Sequence, residues 1–531
     1  MSDDKVFLAD SARPAKASAK RLRNANPDSP VEITVNIRSR GVPDANHLPQ
    51  RALTPEQYAA QYGASEEDVQ KVRNVLESYG IKVDGVSQAT GSIRASGTVA
   101  AMEAAFSPNL GIYQSDDQGE YRGREGELSI PAELQGIVTG VFGLDQRRVA
   151  RRRHVAASTH LKPLSSVDLE KRYNFPPGAA ENQHIGIAEF GGGVFPDEVS
   201  KFCQKQGRPV PSVKIVPVNL QALTPAEISH LPAQQQKDAV EISVEVMMDI
   251  EIIAGLCSQG NISVYFATFD QKGWVDLLDK VIADRPVTLS VSWGAPEDSS
   301  DWSTAARKAI NQRLAAAAAQ GITICISSGD DGSGDELADG RAHVDFPSSS
   351  PFVLSVGGTM LVHHGNTTVE QTWHQGTGVR ATGGGATGGG VSVFFARPQW
   401  QNVQVQSLNP GSIDGRIIPD VAALAGPPFY LLVLPDGTDN NGGTSASAPL
   451  WASLIARLNA KMPPDKQQRF LTPLLYQAGP NGKSRGTTCQ DITMGNNTSS
   501  PQPGVGYQAR PGFDAVTGWG TPNGTALLAV L

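Results

Sequence analysis

Four cysteines in 531 residues, Cys203, Cys257, Cys325 and Cys489, lie far apart with no CxxC pair, which argues against a zinc site. No apolar run reaches membrane-spanning length, and residues 1–20 lack the apolar core of a signal peptide. Basic residues are outnumbered, 45 Lys and Arg against 53 Asp and Glu. The net charge of −8 therefore gives no reason to expect nucleic acid or an anionic membrane as partner. None of the nine histidines sits in a His-Gly-Thr-His context, and His363-His364 lies in a polar Gly-Asn turn, so a histidine-based serine triad has poor support. No EF-hand pattern occurs. What the chain does have is 55 glycines and 36 prolines, hence many turns, and 39% hydrophobic residues, enough for a folded protein of more than one domain.

The most informative stretch is Gly443-Thr444-Ser445-Ala446-Ser447-Ala448-Pro449. A glycine turn delivers a serine to the head of a helix whose apolar face is Leu450, Leu454, Ile455 and Leu458. Local hydrogen bonding alone would make Thr444 or Ser445 a helix cap. A nucleophile needs a base as well. Val240 to Gly255 reads as a helix with Ile242, Val246, Ile250 and Ile253 on one face. Glu241, Glu245 and Asp249 recur every four residues on another, an arrangement that destabilises an isolated helix. Met247, Met248 and the apolar continuation bury this helix nearly all round. Packed carboxylates with little water have raised pKa values and share protons, which suits a base and its orienter acting in acid.

With these motifs in place the chain resembles the sedolisins (serine-carboxyl peptidases) of the bacterial kumamolisin type, in the pro-form. The similarity runs from about Pro163 to the end, more loosely before it. It is carried by Ile187-Ala188-Glu189-Phe190-Gly191-Gly192-Gly193, Glu245-Val246-Met247-Met248-Asp249-Ile250-Glu251, Ser290-Val291-Ser292-Trp293-Gly294, Ser328-Gly329-Asp330-Asp331-Gly332-Ser333, His343-Val344-Asp345-Phe346-Pro347, Gly443-Thr444-Ser445-Ala446, and Asp491-Ile492-Thr493 with Pro511-Gly512-Phe513-Asp514. The resemblance implies Ser445 as nucleophile, Glu245 as general base, Asp249 as its orienting partner and Asp330 as the oxyanion-hole carboxyl. A carboxyl donates to an oxyanion only when protonated, so an acidic optimum follows. Glu189 and Trp293 resemble the pair that extends this relay. Ser292, Gly294, Gly389 and Gly390 resemble residues along which substrate lies extended, and Asp345 an aspartate favouring basic side chains.

By the same resemblance the side chains of Asp491 and Asp514, with backbone carbonyls of Ile492, Arg510 and Gly512, would hold one structural Ca²⁺, a hard cation that takes oxygen ligands. Arg510 stands where relatives carry a small residue. The implied activity is an acid-active endopeptidase made as a self-processing zymogen, exported and monomeric. Its partners would be polypeptide substrates and its own prodomain as intramolecular inhibitor. Two modes remain beside it: a tripeptidyl-peptidase of the same family, and a calcium-stabilised pseudo-enzyme that binds peptides uncut. A third has His343 as a conventional base.

The expected organisation is a disordered, basic, Ser- and Ala-rich lead-in over 1–30 and a ferredoxin-like α+β prodomain over 31–146. The alternation Ile33, Val35, Ile37 predicts a strand, and Thr54-Pro55-Glu56-Gln57 a capping box. Ser65 opens a further helix, and a short one is expected over Val99 to Phe106. The run Arg147-Arg148-Val149-Ala150-Arg151-Arg152-Arg153-His154 begins a basic linker over 147–164. It is a segment for activation cleavage whose charge can pair with an acidic catalytic domain. From 165 to 531, apolar strands Ile185–Ala188, Ile262–Phe266, Thr288–Ser292 and Thr323–Ser327 alternate with helices. They predict a mostly parallel sheet covered on both faces, in agreement with a subtilisin-like α/β fold.

Overall fold

The alternation at Ile33, Val35 and Ile37 produces strand Pro30–Ile37, with these side chains no more than 2% exposed. A computed structural model describes residues 4–149, 151–152, 155–156, 162–365, 367–375 and 385–531. The strand sits in an antiparallel sheet ordered Lys82–Ser87, Ser92–Thr98, Pro30–Ile37, Val138–Phe142. Counted along the chain this order is second, third, first, fourth, the ferredoxin-like arrangement. Thr54 and Gln57 cap helix Pro55–Tyr62 reciprocally, and Ser65 caps Glu66–Ser78. Val69, Val72 and Leu76 from the second helix join Met102 and Phe106 of Val99–Phe106 in one core with the sheet.

The lead-in is not disordered over the described residues. Strand Lys5–Phe7 pairs with Ser129–Pro131, and Ala19–Asn24 pairs with Gly111–Ser115 in a second sheet completed by Gly119–Gly123. Its composition looks like that of a free segment, yet backbone pairing with partners far downstream orders it.

The C-terminal body is built on a sheet in which Ser212–Pro217, Asn261–Phe266, His184–Glu189, Thr288–Val291, Thr323–Ser327 and Leu354–His364 run parallel in that order. Val421–Leu424 pairs parallel with Leu354–His364 as well, and Thr367–Thr372 closes the edge antiparallel. Helices Ala233–Leu256 and Thr444–Lys461 share one core through Ile250, Ile253, Leu450 and Leu454. Helices Gln271–Asp284 and Thr304–Ala319 share another through Trp274, Leu277, Ile310 and Leu314. Each such side chain contributes about 1.5–3 kcal/mol on burial, so both faces of the sheet are covered by substantial cores.

The prodomain sheet rests on this second helix pair. Thr34 Oγ1 donates to Asp276 at 2.6 Å and Ser92 Oγ to Asp279 at 2.6 Å, while Arg313 donates to Asp279 at 2.8 Å and to Asn36 Oδ1 at 3.0 Å. All four cysteines are buried and unpaired with one another. Among the described residues no helix is long and apolar enough to cross a membrane.

Candidate active site

Gly443 caps the Thr444–Lys461 helix with φ of +98°, a conformation strained for any side chain, and so turns the chain sharply into the helix. Six residues in, Pro449 has no N–H to give to the carbonyl of Ser445 four residues back. That carbonyl accepts from Ser292 Oγ at 3.2 Å instead. The Ser292 hydroxyl is also 2.7 Å from Asp249 Oδ2, and Ser445 Oγ reaches back to Ser292 O at 3.5 Å. The proline gap thus ties the serine's backbone to a residue that touches the carboxylates.

Those carboxylates come from the predicted helix, which starts earlier than expected, over Ala233–Leu256, because a Gln-rich exposed turn precedes the amphipathic part. Glu241 stays at the surface, but Glu245 and Asp249 are fully buried. Burial and then the Glu245 charge push the Asp249 carboxyl well above its ordinary range, against the Ser292 hydroxyl that favours its charge. Glu189, at the end of strand His184–Glu189, is raised in the same way by burial, Asp249 and Glu245. Trp293 Nε1 donates to Glu189 Oε2 at 3.1 Å, which joins the two residues to each other. With Glu189 and Asp249 both raised, the neutral form of these two buried carboxyls is favoured.

Asp330 follows strand Thr323–Ser327 and is fully buried. Its Oδ1 accepts from Thr444 N at 2.8 Å and from Thr444 Oγ1 at 2.6 Å, which locks the carboxyl onto the turn that carries Ser445. Thr444, which local hydrogen bonding would make a helix cap, instead leaves that place to Gly443 and donates its hydroxyl to Asp330, a role its place immediately before the serine could have signalled.

Ser292 marks where the chain leaves the parallel sheet. The predicted strand ends at Val291, and Trp293–Pro296 turns away to pair elsewhere. A Cβ on Gly294 would lie 1.8 Å from Asp345 Oδ1, so only glycine lets that carboxylate press against this strand. Around Gly389 and Gly390 other parts of the chain come close on the side where a Cβ would stand. A Cβ on Gly389 would meet Ala515 O at 2.4 Å and one on Gly390 would meet Tyr507 at 2.9 Å. Meanwhile Gly388 N donates to Gly329 O at 2.7 Å. The segment that carries them packs against the Asp330 loop, with Ala386 N donating to Asp330 O at 2.9 Å.

The linker occupies the front of the site. Arg151 and Arg152 pair antiparallel with Gly294 and Trp293, and Val155 and Ala156 with Gly442 and Asn441. Arg153, His154 and residues 157–161, also part of the linker, lie outside the described residues. Ser445 is fully buried in this arrangement. Of the basic run's described side chains, Arg147 stays with Asp145 of the prodomain, while Arg148 donates to Asp117 O, lies over the Phe269 ring and feels the charge of Asp238 in the catalytic domain.

His343 is not a base for Ser445. Its ring nitrogens bind Asp298 Oδ1 and Asp339 Oδ1, both at 2.8 Å. At the proposed calcium turn, Gly512 N donates to Asp491 Oδ2 at 2.8 Å, and Arg510 N to Asp514 Oδ2 at 2.9 Å. The two carboxylates grip one turn from opposite sides. No cluster of three or more His, Cys, Asp or Glu suited to a metal occurs among the described residues. A cation here would draw on carbonyl oxygens as well, and the all-oxygen donor set fits a hard ion.

A serine at a helix head above buried acids, on a doubly covered parallel sheet, defines a serine peptidase of the subtilisin-like class. Residues 255–520 match the family described as Subtilase family, and residues 17–147 the one described as Pro-kumamolisin, activation domain. The chain is 37% identical to kumamolisin of Bacillus sp. (strain MN-32), over 100% of this chain and 96% of that one. It is 27% identical to tripeptidyl-peptidase sed5 of Aspergillus fumigatus, over 99% and 97% of the two. The solved structure of Pseudomonas sedolisin complexed with two molecules of pseudo-iodotyrostatin shares the fold, with a TM-score of 0.58 and 24% identity over 70% of this chain and 98% of that one. The chain belongs to the sedolisin family of serine peptidases and carries a kumamolisin-type prodomain.

Proposed function

We propose that this zymogen is an acid-active endopeptidase that cuts its own linker. Ser445 is the nucleophile and its proton passes to Glu245. Asp249 holds Glu245, and protonated Asp330 donates to the oxyanion. The observation that carries this reading is the burial of Glu189, Glu245 and Asp249 together beneath the serine. Such a set supplies a base only by sharing protons, which acid favours. The pairings at Arg152 and Val155 bracket the bonds around Arg153 and His154, which we take as the processing site.

Endopeptidase action is our reading over tripeptidyl release: before Arg151 the uncut chain still lies along the catalytic domain, with Val149 N donating to Phe269 O at 3.3 Å. Asp345 beside Gly294 gives basic substrate side chains a counter-charge. Calcium bound by Asp491, Asp514 and the carbonyls of Ile492, Arg510 and Gly512 would brace the C-terminal turn; chelation should lower the unfolding temperature of the catalytic domain and leave the prodomain's unchanged. Export from the cell is our expectation from the family.

The test is intact mass of the full chain, wild type beside Ser445→Ala, at about pH 4 and about pH 7.5. Loss of an N-terminal fragment ending at Arg152, Arg153 or His154, in acid and with the wild type only, is the expected result. If both stay whole in acid and neither cuts an added denatured protein, the peptide-binding pseudo-enzyme replaces this reading.

A further inference from the structure

Three arginines from three separate segments are buried around one carboxylate where the linker begins. Arg13 is 2% exposed, Arg124 5% and Arg147 2%, and the Asp145 side chain is 8% exposed. Arg13 Nε donates to Asp145 Oδ2 at 3.1 Å, Arg147 NH2 stands 3.6 Å from the same oxygen, and Arg147 N donates to Oδ1 at 3.0 Å. Arg124 acts on Asp145 through its charge alone. Arg147 Nε is buried without a hydrogen-bond partner, so the cluster has more cation than it can satisfy.

The same side chains stitch four pieces of chain together. Arg147 NH1 donates to Pro14 O at 2.9 Å, Arg124 NH2 to Ser11 O at 2.7 Å, and Arg13 NH1 to Asp301 O of the catalytic domain at 2.5 Å. Ala305 N donates to Asp10 O at 3.0 Å, and Lys308 pairs with the Asp10 carboxylate at 2.5 Å. The N-terminal segment is therefore a strap that runs from the linker's first residues to the catalytic domain.

We propose that Asp145 is the pin of an acid-released latch that fastens the start of the linker and this strap to the catalytic domain. The latch rests on the zymogen reading and adds a control step to it. The other groups facing the pin are Arg122, Tyr113 and Tyr121, with Glu125, Asp117 and Asp270 further out; among them Asp145 is the carboxylate in ion-pair range of both Arg13 and Arg147. Neutralising it leaves like charges buried together without a counter-ion, a strongly unfavourable state. Burial pushes the Asp145 carboxyl up, but Arg13, Arg147 and Arg124 outweigh burial and hold it below the ordinary carboxylate range. The latch is therefore complete at neutral pH and is lost as pH falls through that lowered value.

The test uses full-length Ser445→Ala, which cannot process itself, and added trypsin at about pH 7.5, so it does not depend on this chain's own chemistry. Asp145→Asn should speed cutting after Arg124 and Arg147 by at least about tenfold, as expected when a buried counter-charge is removed. Asp145→Glu should stay within about threefold of the parent, since a carboxylate remains. Amide exchange in strand Pro30–Ile37 should be unchanged in both. Cutting unchanged in Asp145→Asn would overturn the latch. So would exchange in Pro30–Ile37 rising in step with cutting, because that means general unfolding of the prodomain.

Discussion

The paired carboxylates of the prodomain and the deeply buried ones of the catalytic core are held in opposite directions. In the prodomain, hydrogen bonds from Arg38 lower Asp68, those from Arg23 lower Glu120, and the three arginines lower Asp145. In the catalytic core, burial raises Glu189 and Asp249, carries Glu251 to about 9 and Glu297 to about 7. A lowered carboxyl contributes stability that acid removes, and a raised one contributes stability that alkali removes. A drop in pH thus removes the contribution of the prodomain's ion pairs while it favours these buried acids of the catalytic core. The ion pairs and the buried acids act as a matched set, whichever half is considered.

The largest effect that could break this comparison lies at Asp330. Asp330→Ala should cost about 10²–10³ in turnover. Asp330→Asn keeps a donor that needs no proton, so its residual activity should persist to higher pH than the wild type's. A pH–rate profile with the same alkaline limb in both would count against a protonated Asp330. Next is Glu251, whose Oε2 accepts from Val433 N at 2.9 Å deep in the core. Between its unfolded value near 4.3 and about 9, the native state binds the extra proton, and stability falls as pH rises by up to about 1.4 kcal/mol per unit. Glu251→Gln should flatten that slope in urea unfolding of the catalytic domain; an unchanged slope would show the acid to be charged already. The smallest effect is at the prodomain surface. Arg38, mostly exposed, grips Asp68 at 2.8 and 2.9 Å, and Arg38→Gln should raise the pH at which the prodomain melts only slightly.

Much of this was legible in the sequence because it is written locally. The capping box at Thr54, the alternation at Ile33 to Ile37 and the apolar stripe from Leu450 each declare one element within a few residues. The acids Glu245 and Asp249 were visible as a charge spacing that a surface helix would avoid. The strands Lys5–Phe7 and Ala19–Asn24 were not, because their partners lie about a hundred residues on and their own composition resembles a solvated tail. A glycine run such as Gly388 to Gly390 permits close approach by anything, and on the side where a Cβ would stand the neighbours are the chain's own atoms. The arginine cluster escaped notice since Arg13, Arg124 and Arg147 meet only once two sheets and the linker are in place.

The antiparallel seating of Arg151–Arg152 and Val155–Ala156 on either side of the serine has a consequence for dosage. While the chain is whole, the inhibitor is present at its target at an effective concentration on the order of millimolar, whatever the protein's abundance. One cut between those two pairings makes the inhibitor a separate molecule. From then on its hold depends on how much of it remains nearby, and dilution into a larger volume becomes an activating step in its own right.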